Sequence, residues 1–490
     1  MSGVEGERFD LVVLGGGPAG MTAALRAAEL GARVALVEKD RLGGTCTNDG
    51  CAPTRVLAKA ARLLRDARQL GAYGIVAAEP SLDLEELLAA TQRTVYRLQE
   101  KKQAAAHLER AGVEVRERAG LAAFTAADSV VLGDGGTIAA DRFIVACGGH
   151  PRRLPIPGHE LAMTYSDVWG LKRAPASVAI VGGSSTGAQL ASNLAAFGSR
   201  VTLLEVAPRI LAGEDPDVSA ALARAFAGHD IDVIAGIEAV DAIDRPAEGL
   251  RLRYRLDGAE RQLAVEAVIL AVGWPGNLDG LDLDAAGVAT ERDYVRVDDT
   301  LRTSAPNIWA AGDITGRMML VQSATFEGRV AAENALRDEG RSARHAIVAH
   351  GGFTDPEYAS VGLTEAQAQT AGQLVETGTV PYADLDRAVI DGRTEGFCKL
   401  VVERDSHRIL GAHVVGEQAV EVVQIVAGAM AGNVAVERLA EVEFAYPTFT
   451  AIVGLAARQV VHALRLPSDE ARAWEAMGRP RVAEWERRET

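Results

Sequence analysis

Three observations predict an α/β fold with two Rossmann-like units, one inserted in the other. A strand–glycine–helix–strand run spans 9–38, the same run recurs at 178–205, and strand endings at 143–149 and 268–273 read as places where the chain could cross between domains, with another strand ending in glycine and an acid at 305–313. A C-terminal α+β region follows. At 490 residues the chain is too long for one ordinary core. Charged residues are 24% and hydrophobic residues 48%, a globular balance. With 51 basic against 67 acidic residues, the net charge of −16 argues against nonspecific nucleic-acid binding. Four cysteines (Cys46, Cys51, Cys147, Cys398) are too few for a disulfide-stapled scaffold. No stretch reads as a signal peptide, and the apolar helical run 451–464 is too short for a bilayer and carries Arg458 and His462. The expectation is a soluble, cytoplasmic protein with no membrane contact.

The first unit opens with the apolar strand 9–14, which enters Gly15-Gly16-Gly17-Pro18-Ala19-Gly20 and then an alanine-rich helix, 21–30. A second strand, 33–37, ends on Glu38. Glycines at 15, 17 and 20 let a pyrophosphate approach the helix N-terminus, and an acid eighteen residues after Gly20 is placed to bind a ribose diol. The inserted unit repeats this with strand 178–181, Gly182, Ser184 and Gly187, helix 188–197, strand 201–204 and Glu205, again eighteen residues after its last glycine. Ser184 replaces the middle glycine and loosens the pyrophosphate contact. Glu205 accepts from a free diol and repels a 2′-phosphate, favouring NAD(H), although Arg209 could soften that preference. Gly149 and Gly273 close two tight turns at the domain crossings, and Asp313 stands at a strand end where a carboxylate can hold a sugar or ribityl hydroxyl.

Cys46 and Cys51 lie in GGTCTNDGCAPTR, just beyond the first unit's second strand. A disulfide stores two electrons, the amount a hydride carries. Residues five apart on a regular helix are roughly 7.5–9 Å apart, whereas a bridge needs Cα atoms within about 7 Å. The start of this helix must therefore be distorted. A thiolate at a helix N-terminus also has a lowered pKa. Cys147, at a buried strand end, and Cys398, in an alternating strand, read as structural.

On Gly15–Gly20 with Glu38, GGTCTNDGC at 43–51, the second fingerprint, APNIWAAGD at 305–313 and FTDPEYASVGLTE at 353–365, the chain resembles the flavoprotein disulfide reductases, the family of dihydrolipoamide dehydrogenase and mercuric reductase. The resemblance covers almost the whole chain. It implies an FAD-binding domain in two parts, 1–155 and 281–348, an inserted NAD(H)-binding domain at 156–280, a dimerisation domain at 349–470 and a tail at 471–490. It implies FAD held through Gly15, Gly17, Gly20, Glu38, Gly44, Thr45 and Asp313, and NAD(H) held through Gly182, Ser184, Gly187 and Glu205 with Gly273. It further implies a homodimer with an active site shared across subunits, Cys51 against the flavin and Cys46 facing the acceptor.

Three positions depart from the family pattern. A Lys–Glu pair near the flavin becomes Arg55 and Gln189, keeping a cation and losing its counter-charge. Ser185 stands where a bulky residue gates the nicotinamide pocket. The His-Pro-Thr run with its orienting glutamate becomes Tyr446-Pro447-Thr448 with Ala451. Tyrosine, with a pKa near 10, is a poor base at neutral pH, and alanine orients nothing. A functional Tyr446 would donate a hydrogen bond to the acceptor from the partner subunit; otherwise it is a packed interface aromatic. The tail 467–490 lacks the cysteine pair of mercuric reductase, and no cysteine or histidine spacing suggests a metal site. The expected function is an FAD-dependent NADH oxidoreductase acting through the Cys46–Cys51 disulfide on a small-molecule acceptor: a disulfide, a quinone or a metal ion. The alternatives are a dihydrolipoamide dehydrogenase, a mercuric-reductase-like metal reductase and a non-enzymatic redox-sensing flavoprotein.

Overall fold

A computed structural model describes residues 8–466; the tail 467–490 lies outside them. Strand Arg8–Leu14 pairs in parallel with Val34–Val37 on one side and with Thr137–Val145 on the other. Glu114–Arg116 extends the sheet beyond Val34–Val37, and Ile308–Ala310 pairs beside the end of Thr137–Val145. The central strands read as unbroken apolar runs because both faces are buried: Leu11, Val13 and Leu36 pack on helices Pro18–Glu29 and Val321–Arg337, while Val12, Leu14 and Val37 pack on Phe124, Val130, Leu281 and Val288 from strands and loops. Helix Pro18–Glu29 starts three residues earlier than the alanine run predicts, since proline is preorganised for a first helical position. It packs on helix Val321–Arg337, which follows the returning strand.

Between Val145 and Ile308 the chain builds a second parallel sheet, ordered Ile231–Ala235, Arg200–Glu205, Ser177–Val181, Ala267–Leu270 and Met163–Thr164. This sheet is nested within the first unit, as the three strand endings predict. The two crossings run side by side: His150 N–H donates to the Pro275 carbonyl at 3.0 Å and Arg152 N–H to that of Gly273 at 3.1 Å. Gly273 sits at φ +128°, a region that side chains rarely enter. An antiparallel meander, Ala239–Asp244, Leu250–Leu256 and Ala259–Val265, adds a layer that the fingerprints do not announce.

The C-terminal domain is an antiparallel sheet ordered His350–Gly352, Tyr358–Gly362, Ile409–Val415, Phe397–Glu403 and Val375–Pro381, backed by helices Ala419–Ala431 and Ala451–Ala463. Ile409–Val415 is buried along its whole length, because Val415 and Tyr358 also join the core of the inserted unit. A buried polar clamp locks the same seam. Lys399, 5% exposed, reaches Asp217 at 2.8 Å, Glu365 at 3.0 Å and the buried Asp215 at 3.4 Å. Glu214 accepts from Ser360 at 2.6 Å and lies 3.0 Å from His350 Nε2. Removing one partner from such a cluster would strand a buried charge.

Candidate active site

The two cysteines occupy different helices. Gly43 (φ +107°) and Gly44 (φ +58°) start a short helix, Gly44–Asn48, that stops at Asp49. Gly50 (φ −114°, ψ −105°) redirects the chain, and helix Cys51–Arg68 begins on Cys51 itself. Asp49 N–H and Gly50 N–H both return to the Thr45 carbonyl, at 2.9 and 2.6 Å. This break is the distortion that the five-residue spacing demands, and it turns the thiols toward each other.

The pair is a hydrogen-bonded dithiol with unequal protons. The Cys46 thiol donates to Cys51, and that bond brings Cys51 down to about 7. Cys46 is pushed far up, first by the same bond, then by burial and by the Cys51 charge, with Lys102 opposing. Lys102 is fixed by donating to Thr47 at 2.9 Å. Asp49, between the cysteines, accepts from Ser166 at 2.6 Å, and its carbonyl accepts from Trp169 at 3.1 Å, so the inserted unit braces the redox segment. Cys147 and Cys398 are each raised to about 12 by burial, which makes them inert thiols.

The first fingerprint packs directly against this segment. A Cβ on Gly44 would lie 2.8 Å from the Gly17 Cα, so two bare backbones bring the redox helix onto the glycine turn. A Cβ on Gly20 would meet the Gly15 carbonyl oxygen at 1.8 Å, so packing alone requires glycine there. Gly17 differs: a Cβ would find only Gly44 Cα, at 3.8 Å. Nothing in the protein forbids a side chain at 17, which leaves a cradle that a pyrophosphate fits. Glu38 accepts from Gly16 N–H at 2.7 Å and Asp40 N–H at 2.9 Å, which fixes its carboxylate beside the cradle. Thr45 lies in the first turn of the Gly44–Asn48 helix, just before Cys46. Asp313 accepts from Trp274 Nε1 at 3.1 Å, burial raises its carboxyl, and its charge is felt at both cysteines. These residues fit FAD.

The second fingerprint repeats the geometry. A Cβ on Gly187 would meet the Gly182 oxygen at 1.8 Å. Glu205 accepts from Gly183 at 2.5 Å and Ala207 at 2.8 Å. Ser184 stands exposed at the N-cap of helix Ser185–Ala196. Arg209 is committed elsewhere: it donates to the carbonyls of Leu211 (3.1 Å), Ala212 (2.7 Å) and Glu214 (2.9 Å). Its guanidinium is thus tied to the following loop, and the softening of nucleotide preference considered from sequence has no support in this geometry.

Arg55 and Gln189 converge on one residue. The Arg55 guanidinium lies 4.2 Å over the Phe353 ring, and Gln189 Oε1 accepts the Phe353 N–H at 3.1 Å while its amide bonds Ser185. Cation–π stacking and an amide bond thus hold the place of the charge pair. Phe353 lies within the quoted run 353–365, yet its role emerges only when the two domains meet.

Tyr446 is 59% exposed, and its hydroxyl donates to Asp386 Oδ2 at 2.5 Å. Asp386 opens the short helix Asp386–Ile390, sixty residues away, and no sequence pattern singles it out. Ala451 is the first residue of helix Ala451–Ala463, as mute as expected. Within the chain the hydroxyl proton is directed at Asp386.

Comparison with known proteins agrees with this architecture. The family model described as pyridine nucleotide-disulphide oxidoreductase matches residues 9–328, and its dimerisation-domain model matches 348–457. Dihydrolipoyl dehydrogenase of Chlorobaculum tepidum is 34% identical over 455 residues, covering 92% of this chain and 96% of the relative. Mercuric reductase of Streptomyces lividans is 33% identical over 460 residues, with 92% and 96% covered. The HOCl-induced flavoprotein disulfide reductase RclA from Escherichia coli superposes with a TM-score of 0.82 at 28% identity, covering 92% of this chain and 100% of that one.

Proposed function

The chain belongs to the pyridine nucleotide-disulphide oxidoreductase family, and from that premise we propose that electrons pass from NADH, by way of FAD, to the Cys46–Cys51 disulfide and then to a small acceptor. The protein is an enzyme with disulfide oxidoreductase activity and a redox-active cysteine pair. The observation that carries the fuller reading is the unequal dithiol: Cys51 is a thiolate near neutral pH, while Cys46 keeps its proton. A two-electron carrier with one readily ionised thiol and one protonated partner suits stepwise exchange with an acceptor.

FAD, when bound, takes the hydride pair of the nicotinamide and supplies two electrons to the disulfide. Gly15, Gly17, Gly20, Glu38, Gly44, Thr45 and Asp313 would hold it. Gly182, Ser184, Gly187, Glu205 and Gly273 would hold NAD(H), with Glu205 setting the preference over NADP(H). Arg55, stacked on Phe353, lies one turn along the helix from Cys51 and places a cation beside the redox segment.

The active form is a homodimer in which Tyr446 of one subunit faces Cys46 of the other. An exposed apolar face supports this: Ile75, Val76, Val389, Ile390 and Tyr446 all project from it. Tyr73 donates to the Ile390 carbonyl at 2.7 Å, which brings 73–76 beside Asp386–Ile390 and the Tyr446 hydrogen bond. A contiguous apolar face of this kind marks an interaction surface. No helix among the described residues is long and apolar enough to cross a membrane. A transient catalytic disulfide also suits a reducing, cytoplasmic setting.

Anaerobic titration with NADH tests the electron path. A long-wavelength thiolate–flavin band with two thiols released is the expected result. Flavin reduction with the disulfide intact would overturn the path. Lipoamide and Hg(II), the chemistries in the names of the two curated relatives, are then supplied to the NADH-fed enzyme as acceptors.

A further inference from the structure

We infer that Glu214 is a positioning residue for NAD(H): it straps the loop that locks the second glycine turn onto the C-terminal domain. The inference deepens the proposed function and rests on its assignment of NAD(H) to Gly182, Ser184, Gly187 and Glu205.

The loop 206–214 leaves Glu205 and folds straight back on the glycine turn. Leu211 N–H donates to the Gly183 carbonyl at 2.8 Å, and a Cβ on Gly183 would lie 2.8 Å from Ile210 Cγ2. Leu211 makes this bond at φ +47°, a left-handed conformation that a bulky side chain keeps only where its surroundings impose it. Two restraints impose it here. Arg209 donates to the carbonyls of Leu211, Ala212 and Glu214, which stiffens the loop within itself. Glu214 then ties the far end of the loop to another domain. Its Oε1 lies 3.0 Å from His350 Nε2, and its Oε2 accepts from Ser360 at 2.6 Å. His350 and Ser360 face each other in register on neighbouring strands, so a fixed pair grips one carboxylate. The same strand carries Tyr358, whose buried hydroxyl bonds Ser185 at the start of helix Ser185–Ala196. The C-terminal domain thus reaches both sides of the turn that would receive the pyrophosphate.

The strap holds a charge that pH can remove. His350 Nδ1 faces the Val348 carbonyl at 3.3 Å while Nε2 faces the carboxylate, so both nitrogens donate and the ring is an imidazolium. The Glu214 bond lifts His350 above its ordinary range, against burial. Burial works to raise Glu214, but the bonds from His350 and Ser360 hold it below the usual carboxylate range. The other groups around this carboxylate are Tyr358 and His413, whose Nδ1 lies 3.1 Å from Ser360 Oγ. Burial lowers His413, with Asp215 opposing and Lys399 assisting. As pH rises through the raised His350 range, the imidazolium is lost and with it the charged half of the strap.

The test follows flavin reduction by NADH in the FAD-loaded enzyme by anaerobic stopped flow, which reads half-saturating NADH and limiting rate separately. Glu214→Gln keeps the volume of the side chain and removes its charge. It should raise half-saturating NADH about tenfold, the loss expected for one charge-assisted bond, with little change in limiting rate. Ser360→Ala removes a single bond and should raise it less; it carries the test if Glu214→Gln does not fold. In wild type, half-saturating NADH should climb as pH rises from about 6.5 to 9. In Glu214→Gln and His350→Gln that climb should be flattened. Native NADH affinity in Glu214→Gln or Ser360→Ala, or a pH climb undiminished in Glu214→Gln, overturns the strap, even where the melting temperature falls. Glu205→Ala separates this from failure of the nucleotide assignment. Native NADH affinity in Glu205→Ala defeats the assignment and the strap with it, while weakened binding there beside native binding in Glu214→Gln defeats the strap alone.

Discussion

Replacing Cys46 by alanine removes the thiol that holds Cys51 down. In the native dithiol Cys51 lies at about 7, chiefly through the Cys46 hydrogen bond. An unperturbed thiol titrates near 8.5. At pH 7 the Cys51 thiolate fraction should fall from about one half to about 3%, and the rate of alkylation, which follows the thiolate, should fall about 15-fold. The assay is iodoacetamide labelling of Cys51 in the FAD-loaded protein from pH 5.5 to 9.5, read by peptide mass, with wild type kept reduced by NADH. Cys147 and Cys398, both raised to about 12, stay silent over that range. Cys46→Ser keeps a hydrogen-bond donor and should sit between the two. A labelling midpoint that remains near 7 in Cys46→Ala would refute the reasoning, and would assign the stabilisation to the N-terminus of helix Cys51–Arg68 instead.

Gly17→Ala should fold normally but lose FAD affinity, measured by flavin fluorescence on dilution, whereas Gly20→Ala, whose Cβ would meet a carbonyl oxygen at 1.8 Å, should fail to yield folded protein. Glu205→Ala should raise the KM for NADH about tenfold, the loss expected for one charge-assisted hydrogen bond of about 1.5 kcal/mol. Arg209→Ala should leave the NADH-to-NADPH ratio unchanged, because its guanidinium is bound to three carbonyls. Glu357, 8% exposed, is raised to about 7 by burial and by Glu421 and Glu417, against the pull of Arg55 and Arg62. The unfolded chain releases that proton near 4.3, so stability declines as pH rises from there to about 7 and is flat above. Glu357→Gln should therefore melt higher than wild type at pH 8, by up to roughly 3 kcal/mol, and match it at pH 4.

Much of the fold was legible because its signals are local. The glycine spacings at 15–20 and 182–187, each followed eighteen residues later by a carboxylate, are backbone requirements written into consecutive residues. The 1.8 Å approaches at Gly20 and Gly187 are the steric reason no other residue serves there. The broken helix between Cys46 and Cys51 was equally legible, since disulfide geometry and helical rise conflict at that spacing. The meander 239–265 had a local signal too, in the strict alternation of Leu250–Leu256 and the Asp257-Gly258 hairpin turn, but nothing in those residues says which face of the inserted unit the hairpin covers.

The sequence by itself determined which residues can do chemistry: two thiols at a helix start, two ribose-binding acids, and a tyrosine where a base would serve. It could not say what those residues touch. That Arg55 and Gln189 meet at Phe353 and not each other, and that Tyr446 finds a carboxylate sixty residues away, were decided by tertiary packing alone. The reason is physical. Residue type and spacing are imposed by backbone geometry within a few residues, whereas hydrogen-bond partners and proton affinities depend on which distant surfaces pack together and how much water that packing excludes.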